Sequence, residues 1–429
     1  MKIHLRTIGC RLNQSEIDRM ARQFRQQGHE VVEDAAQADW FVVNTCAVTT
    51  DAARSSRQTV RELSRANPDG RITVTGCYAQ LVPDETRALP NVALVVDNLT
   101  KDQLVEKITG VPAAPFDAEP LMRDEVLPGA SGRTRAFVKV QDGCDNRCTF
   151  CVTTVARGAG RSRPQDKVIA EIRYLHEQLG YQEAVLTGVH LGSYGHDMGD
   201  RQGLAKLVRA ILAQTDIPRL RLSSLEPWDL APAFFEMWEN PRLCPHLHLP
   251  LQSGCDATLK RMLRHTTQAD FCALMEAARQ HIPHVSITSD IIVGFPGETD
   301  KEFEISAAFI EEMNFAGLHI FRYSRRPGTA AVKMCGHVSE ALKKARSARL
   351  QRMADEMTAR FAASQLGQTR PVLWEHIGGA TQDGFINLGY TDNYIRVRGI
   401  HPRVLTNHLT PARLETYEDG IVIARPLVE

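Results

Sequence analysis

Strand and helix patterns alternate along most of this chain, and that alternation confines it to architectures built on parallel sheets. Ile3–Ile8 has a strand pattern, and Ser15–Gln27 a helical one with Ile17, Met20 and Phe24 on one side and Gly28 as its stop. Trp40–Asn44 reads as a buried strand and Asp51–Arg65 as a helix with Ala52, Val60 and Leu63 on its inner stripe. The turn Asn67-Pro68-Asp69-Gly70 then leads into a strand at Ile72–Thr75. Residues 1–110 are therefore expected to form a doubly wound parallel α/β domain, and the Pro-, Ala- and Gly-rich residues 111–132 a linker.

From Ala136 the alternation returns. Strand-like segments are Ala136–Val140, Glu183–Thr187, Leu220–Ser224, His246–Leu251, Ser286–Val293 and Leu318–Tyr323. Helical stretches such as Asp166–Leu179 and Asp300–Met313 separate them, the second opened by the capping pair Thr299 and Glu302. Six such units predict a partial β/α barrel over residues 133–364, short of the eight strands of a closed one. A long basic helix, Ser339–Ser364, leads out of it. Beyond Gln368 come five short β-rich segments: Val372–Ile377, Phe385–Leu388, Tyr394–Arg398, Ala412–Glu415 and Ile421–Ala424. Residues 368–429 are expected to close into a small all-β barrel of the kind that binds oligonucleotides.

Hydrophobic residues make up 43% and charged residues 24% of the chain, which excludes disordered and collagen-like classes. No run of about 18 apolar residues could span a membrane, and the polar start Met1-Lys2-Ile3-His4 is unlike a secretory signal. A cytoplasmic protein without membrane contact is expected. The 51 basic and 51 acidic side chains cancel, yet they are unevenly placed. Nine Lys/Arg lie between Arg322 and Arg352 against the single acid Glu340, and eight between Arg133 and Lys167 against three acids. Such patches suit a polyanion, although a solvated helix face produces the same pattern.

Ten cysteines in a cytoplasmic chain point to metal or redox chemistry rather than disulfides. Cys244, Cys255, Cys272 and Cys335 have no partner at metal spacing and read as small buried hydrophobes. Cys144, Cys148 and Cys151 form a C-x3-C-x2-C loop just after a strand. Soft thiolates select iron–sulfur clusters, zinc or Cu(I). Structural zinc normally takes four ligands, and no second pair stands nearby in sequence. A four-iron cluster held by three cysteines keeps one iron open for a ligand. Cys10, Cys46 and Cys77 each follow a predicted strand, and a parallel sheet ends all its strands on one edge, where ligands bind. Topology therefore gathers a second three-cysteine site, with Gly9 and Gly76 letting the backbone bend around a bulky group.

These residues resemble the radical S-adenosylmethionine methylthiotransferases over nearly the whole chain. The resemblance is carried by Thr7-Ile8-Gly9-Cys10-Arg11-Leu12-Asn13, Asn44-Thr45-Cys46-Ala47-Val48-Thr49, Val74-Thr75-Gly76-Cys77 and Val140-Gln141-Asp142-Gly143-Cys144. It continues through Ser223-Ser224-Leu225-Glu226-Pro227, Leu249-Pro250-Leu251-Gln252-Ser253-Gly254 and Gly294-Phe295-Pro296-Gly297-Glu298-Thr299. The tail, with Gly389-Tyr390-Thr391-Asp392-Asn393-Tyr394, is similar to the RNA-binding TRAM barrel.

The resemblance implies two 4Fe-4S clusters. One, on Cys144, Cys148 and Cys151, would bind S-adenosylmethionine and cleave it to a deoxyadenosyl radical. The other, on Cys10, Cys46 and Cys77, would hold the sulfur to be methylated and inserted. Phe150, Thr187, Gly188, Glu226, Gln252 and Ser253 are the expected cofactor pocket. The implied partners are the anticodon loop of tRNA, an external electron donor and a sulfur source. Two stretches depart from the family pattern: Val152-Thr153-Thr154-Val155 and Arg264-His265-Thr266-Thr267. Neither is expected to touch an iron ligand.

Three branches of the family act on N6-threonylcarbamoyladenosine at position 37 of tRNA, on N6-isopentenyladenosine in tRNA, and on a ribosomal-protein aspartate. Gly9-Cys10-Arg11-Leu12-Asn13 and Arg54-Ser55-Ser56-Arg57-Gln58 are nearest the first. Arg157, Arg161, Arg163, Arg325 and Arg326 are candidates to read its polar substituent, and Lys343, Lys344, Arg346 and Arg349 to meet phosphates. A non-catalytic RNA-binding protein with structural metal sites is the alternative, against which stand two sites of three ligands each.

Overall fold

In a computed structural model that describes residues 1–113 and 134–428, the N-terminal sheet has five parallel strands. They are β1 (Lys2–Thr7), β2 (Glu30–Val31), β3 (Trp40–Thr45), β4 (Arg71–Gly76) and β5 (Val92–Val95), in the order β2-β1-β3-β4-β5. Helix Arg11–Gln26 covers one face, where Ile17, Met20 and Phe24 pack on Ile3 and Val42. Helix Thr50–Ala66 covers the other, packing Val60 and Leu63 on Phe41, Val43 and Ile72. This is the doubly wound arrangement. The first helix begins four residues before the expected Ser15, because extended Cys10 caps it and the polar Asn13 and Gln14 hide its first turn. Strands β2 and β5 were not foreseen; a two-residue strand and a short edge strand carry almost no periodic signal. Residues 114–132 of the expected linker lie outside the described residues.

The central part contains β6 (Arg135–Lys139), a short ribbon of β7 (Gln141–Asp142) and β8 (Arg161–Ser162), then β9 (Glu183–Thr187) and β10 (Arg219–Leu222). It continues with β11 (His246–His248), β12 (Ser286–Val293) and β13 (Gly317–Arg322). Strands β10-β9-β6 and β11-β12-β13 form two parallel sheets joined by the bridges Leu220–Leu243 and Ser224–His248, giving six strands of a partial barrel. Strand β11 stops before the expected Leu251 because Pro250 has no N–H for the ladder.

Alternate residues of the barrel strands, among them Val138, Leu186, Leu222, Leu247, Ile291 and Leu318, pack outward in one large core. The residues between them, Arg135, Glu183, Arg221, His246, His248, Asp290 and His319, line the lumen. A closed barrel fills that space with branched apolar side chains; here it is polar.

Helix Glu340–Ser364 connects to a closed barrel of β14 (Thr369–Thr381), β15 (Gly384–Thr391), β16 (Arg396–His401), β17 (Leu409–Glu418) and β18 (Ile421–Pro426), ordered β14-β15-β16-β18-β17. Trp374 fills its core and donates Nε1–H to Thr410 Oγ1 at 2.8 Å. The third strand starts at Arg396 rather than Tyr394, since Tyr394 turns the chain at φ 69°.

Of the four lone cysteines, Cys244 and Cys255 are buried as expected. Cys272 is partly exposed and Cys335 exposed, so the core reading does not hold for those two.

Candidate active site at the junction of sheet and barrel

Cys10, Cys46 and Cys77 follow β1, β3 and β4 at the carboxyl edge of the N-terminal sheet, with β1 and β3 flanking the point where strand order reverses. The two glycines make room for the protein itself rather than for a ligand. A Cβ on Gly9 would stand 2.7 Å from Cys46 Sγ, and one on Gly76 2.3 Å from the Thr45 carbonyl. Ser56 pins Cys46 in place, accepting from its N–H at 3.2 Å and donating to its carbonyl at 2.9 Å. Burial pushes the Cys46 thiol up to about 11, and the neighbouring Cys10 and Cys77 add to the rise.

The Cys144 loop is equally constrained. Thr149 is tied to Met262 and Ala331 through its backbone, and Cys151 N–H donates to the Cys148 carbonyl at 3.0 Å. Each sulfur of this triad has a donor beside it. Arg264 Nη1 lies 3.7 Å from Cys148 Sγ, and Thr153 N–H donates to Cys151 Sγ at 3.4 Å. His190 faces Cys144; burial opposes its protonation, but Asp229 and Cys144 outweigh burial and raise its pKa to about 10. Burial pushes the Cys148 thiol up to about 11 against the pull of Arg264. Both stretches that depart from the family pattern therefore do touch the triad, contrary to the sequence expectation. Arg264 reaches Cys148 from a distant loop that nothing in the sequence ties to it, whereas Thr153 stands just past Cys151, where its backbone N–H turns back onto the sulfur.

Among the described residues, the group of three potential ligands whose ligating atoms all lie within 4.8 Å is His248, Asp290 and His319. The sulfurs of neither cysteine triad are that close together. A single zinc ion would draw thiolates to about 2.3 Å from itself, so the wider spread suits the face of a cluster. Donors aimed at three sulfurs fit ligands that are thiolates when loaded.

The elements that carry the two triads are packed together. Helix Cys77–Leu81 packs on helix Thr153–Arg157, with Cys77, Tyr78 and Ala156 in one buried cluster. Beside it runs an ion network that joins the sheet to the barrel. Arg157 donates to Glu16 Oε1 and Asp142 Oδ1, both at 2.9 Å, and to Asn13 Oδ1 at 2.7 Å. Lys101 reaches Glu16 at 2.8 Å, and Lys139 reaches Asp142 at 3.0 Å. Burial alone would raise the Glu16 pKa, but the three surrounding cations hold it well below the carboxylate range. Glu16, Lys101, Arg264 and His190 were missed in the sequence, where nothing in their spacing ties them to a cysteine.

The expected cofactor residues collect at the carboxyl edge of the barrel. Thr187 ends β9, and among the described residues its buried Oγ1 has no partner, nor has Ser223 Oγ just past β10. These orphan hydroxyls on adjacent strands fit a polar ligand in the mouth. Gly188 packs on Gln141, where a Cβ would stand 3.1 Å from Oε1. Glu226 pairs with Arg264 at 2.6 Å. Gln252 turns at φ 73° and donates its N–H to the Asp290 carbonyl at 2.8 Å, and Ser253 is buried beside Cys255. Phe150 packs edge-on against Phe295.

Several arginines do not meet the roles expected of them. Arg157 and Arg163 are buried in ion pairs, the latter with Glu171 at 2.7 Å, and buried Arg326 donates to Thr50 Oγ1. Only Arg161 and Arg325 of that set are exposed. On the basic helix, Lys343 and Arg346 are also buried, and Arg346 pairs with Glu298 and with Asp300. Arg349 pairs with Glu304. Lys343 and Arg346 hold the fold, Arg349 sits in an exposed surface pair, and Lys344 is left for solvent or phosphate.

Residues 2–97 match the uncharacterized protein family UPF0004, and residues 138–310 match the radical SAM superfamily. The chain is 37% identical over 408 residues to the threonylcarbamoyladenosine tRNA methylthiotransferase MtaB of Bacillus subtilis, covering 91% of this chain and 88% of that protein. It is also 37% identical to the Thermotoga maritima protein of that name, over 99% and 96% of the two chains. The tRNA-2-methylthio-N(6)-dimethylallyladenosine synthase of Maricaulis maris is 35% identical, over 88% and 87%. Among solved structures, the radical S-adenosylmethionine methyltransferase TsrM of Kitasatospora setae shares the fold at a TM-score of 0.58 and 15% identity, over 77% of this chain and 75% of that one. With two cysteine triads and relatives of this identity along nearly its full length, the chain belongs to the radical S-adenosylmethionine methylthiotransferase family.

Proposed function

We propose that the protein inserts a methylthio group at C2 of N6-threonylcarbamoyladenosine at position 37 of tRNA. The observation that carries this is the pair of three-cysteine sites on elements that pack together, Cys77 against Ala156, with Arg157 bonded to Glu16 beside them. Each lacks a fourth cysteine, and two relatives at 37% identity carry that substrate in their names. Cys144, Cys148 and Cys151 would hold one four-iron cluster, and Cys10, Cys46 and Cys77 the other. When bound, these clusters supply one-electron cleavage of S-adenosylmethionine and a seat for the transferred sulfur.

The chain's own residues do the positioning. Thr187 and Ser223 offer hydroxyls to the cofactor, while Arg264 holds Glu226 at the mouth and offsets charge on Cys148. Arg157 and Glu16 lock the two triads together. The TRAM-like barrel and exposed Lys344 are assigned to tRNA, whose anticodon loop can splay a base into the lumen. No helix of the described residues is long and apolar enough to cross a membrane, in keeping with a cytoplasmic enzyme served by an external electron donor and sulfur source.

Reconstituted protein is expected to carry about eight irons, from two four-iron clusters. Replacing Cys10, Cys46 and Cys77 together by Ala leaves about four. Nucleoside mass spectrometry is expected to show methylthiolation of threonylcarbamoyl-modified tRNA and little of isopentenyl-modified tRNA. Full iron in the triple variant refutes the second site, and equal turnover of both substrates refutes the branch.

A further inference from the structure

Arg11 places a guanidinium inside the barrel lumen with no carboxylate among the described residues to neutralise it. It is the first residue of helix Arg11–Gln26 and follows Cys10 directly. Its side chain crosses from the N-terminal sheet to the C-terminal barrel, where Nη2 donates to Tyr394 Oη at 3.1 Å. The same phenol accepts from Arg135 at 3.0 Å, and Arg221 lies 4.8 Å from its ring. Every acid in the lumen has another partner. Glu183 pairs with Arg219 and Arg221, each at 2.7 Å, and Glu375 with Arg135 at 2.6 Å. Asp290 lies 3.3 Å from His248. Among the described residues no ion pair includes Arg11, although it is half-buried.

A polar shelf stands beside it. His248, Asp290 and His319 come from three neighbouring strands and share the lumen face, with His319 directly across from Asp290. His319 remains exposed although it lies in mid-strand, so the lumen has room in front of it. The Nδ1 of His248 is fixed by Thr288 Oγ1 at 2.9 Å, which aims the other ring nitrogen at Asp290. Arg11 is near enough that its charge, after burial and the charge of His248, helps to hold the His319 pKa low against Asp290.

We propose that Arg11 receives the carboxylate of the N6 substituent of the target adenosine, with His319 and the His248–Asp290 pair meeting its hydroxyl and ureido groups. This rests on the substrate reading given above. C2 and C6 of adenine both flank N1, so a base that presents C2 to sulfur held at Cys10, Cys46 and Cys77 carries its N6 substituent close to that same triad. Arg11 is bonded to the triad's first member. One donor is committed to Tyr394, and the rest of the planar fork can take a carboxylate. A hydrocarbon substituent would leave that half-buried cation unpaired, and sites built for polar groups reject analogues that lack them.

The test uses anticodon stem-loops carrying either the threonylcarbamoyl acid or its methyl ester, with the full-length reconstituted protein. Binding and turnover are expressed as acid-to-ester ratios within each protein, so that differences in stability cancel. Wild type is expected to favour the acid roughly ten- to hundredfold, the range of a charge-assisted hydrogen bond. Arg11→Gln is expected to bring the ratio to about one, and Arg11→Lys to restore part of it. Equal binding of acid and ester by wild type, or an unchanged ratio in Arg11→Gln, overturns the assignment. Failure of wild type to methylthiolate the acid overturns the substrate reading instead.

Discussion

Glu183 is fully buried at the first position of β9, between Arg219 and Arg221. Burial alone would raise its pKa, but the two guanidiniums win and hold it at about 2, against 4.5 for the free side chain. A carboxyl depressed on folding contributes stability above its unfolded pKa and loses it as pH falls toward the folded one. The difference corresponds to about 3 kcal/mol, present in full above roughly pH 5 and lost on the way to pH 2. Urea titrations across that range are expected to show this component in wild type and not in Glu183→Gln. At pH 7, where the variant leaves two buried cations unpaired, it is expected to be less stable by about 3–5 kcal/mol. A Glu183→Gln curve parallel to wild type between pH 5 and 2 would mean that the pair does not govern acid sensitivity. At this scale the sequence was informative for the cysteines and silent about their neighbours. Cys10, Cys46 and Cys77 could be grouped because each follows a strand and parallel strands end together. Arg264 and His190 reach their sulfurs through loops whose paths no periodicity encodes.

Helix Glu340–Ser364 shows the same boundary among elements. Its length and basic character are plain in the sequence, yet its charges do not reveal which side is buried. Arg346 is inward, its guanidinium shared by Glu298 and Asp300 with the Phe303 ring 5.1 Å away. Lys344, two residues earlier, points to solvent. Arg346→Ala is therefore expected to cost about 3–5 kcal/mol of stability, because Glu298 is left buried and unpaired. Lys344→Ala is expected to leave stability within about 0.5 kcal/mol. If Lys344 meets a phosphate, its loss reduces the slope of log affinity for tRNA against log salt by about 0.7–0.9. Chemical denaturation and a salt series of tRNA binding separate the two. A stable Arg346→Ala protein with a flattened slope would restore the reading of that arginine as a phosphate contact.

The molecule as a whole is less modular than a chain of sheet, half-barrel and appended small β-barrel suggests. Tyr394 of the C-terminal barrel stacks on His246 at 4.5 Å between ring centroids and on Tyr390 at 4.9 Å. It also accepts hydrogen bonds from Arg11 of the first segment and Arg135 of the second. Arg219 donates to the carbonyls of Tyr390 and Thr391, and Asn407 to that of Gly180. The tail barrel thus closes the amino end of the half-barrel, where β6, β9, β10 and β11 begin. Without it, Arg135 loses both Glu375 and the phenol, and Arg221 loses the ring over its guanidinium. A chain ending at Ser364 is therefore expected to unfold several degrees below the full-length protein, at about 2–4 °C per kcal/mol for a domain of some 150–250 residues. It is also expected to form deoxyadenosine more slowly even without RNA, because the lumen floor that sets the barrel strands is gone. Tyr394→Phe keeps the stack and removes only the hydroxyl, so its expected effect is a fraction of the truncation's. If instead the shortened chain keeps its melting temperature and its RNA-independent cofactor cleavage and loses only tRNA affinity, the barrel is an attached module and its contacts with Arg11 and Arg135 are incidental.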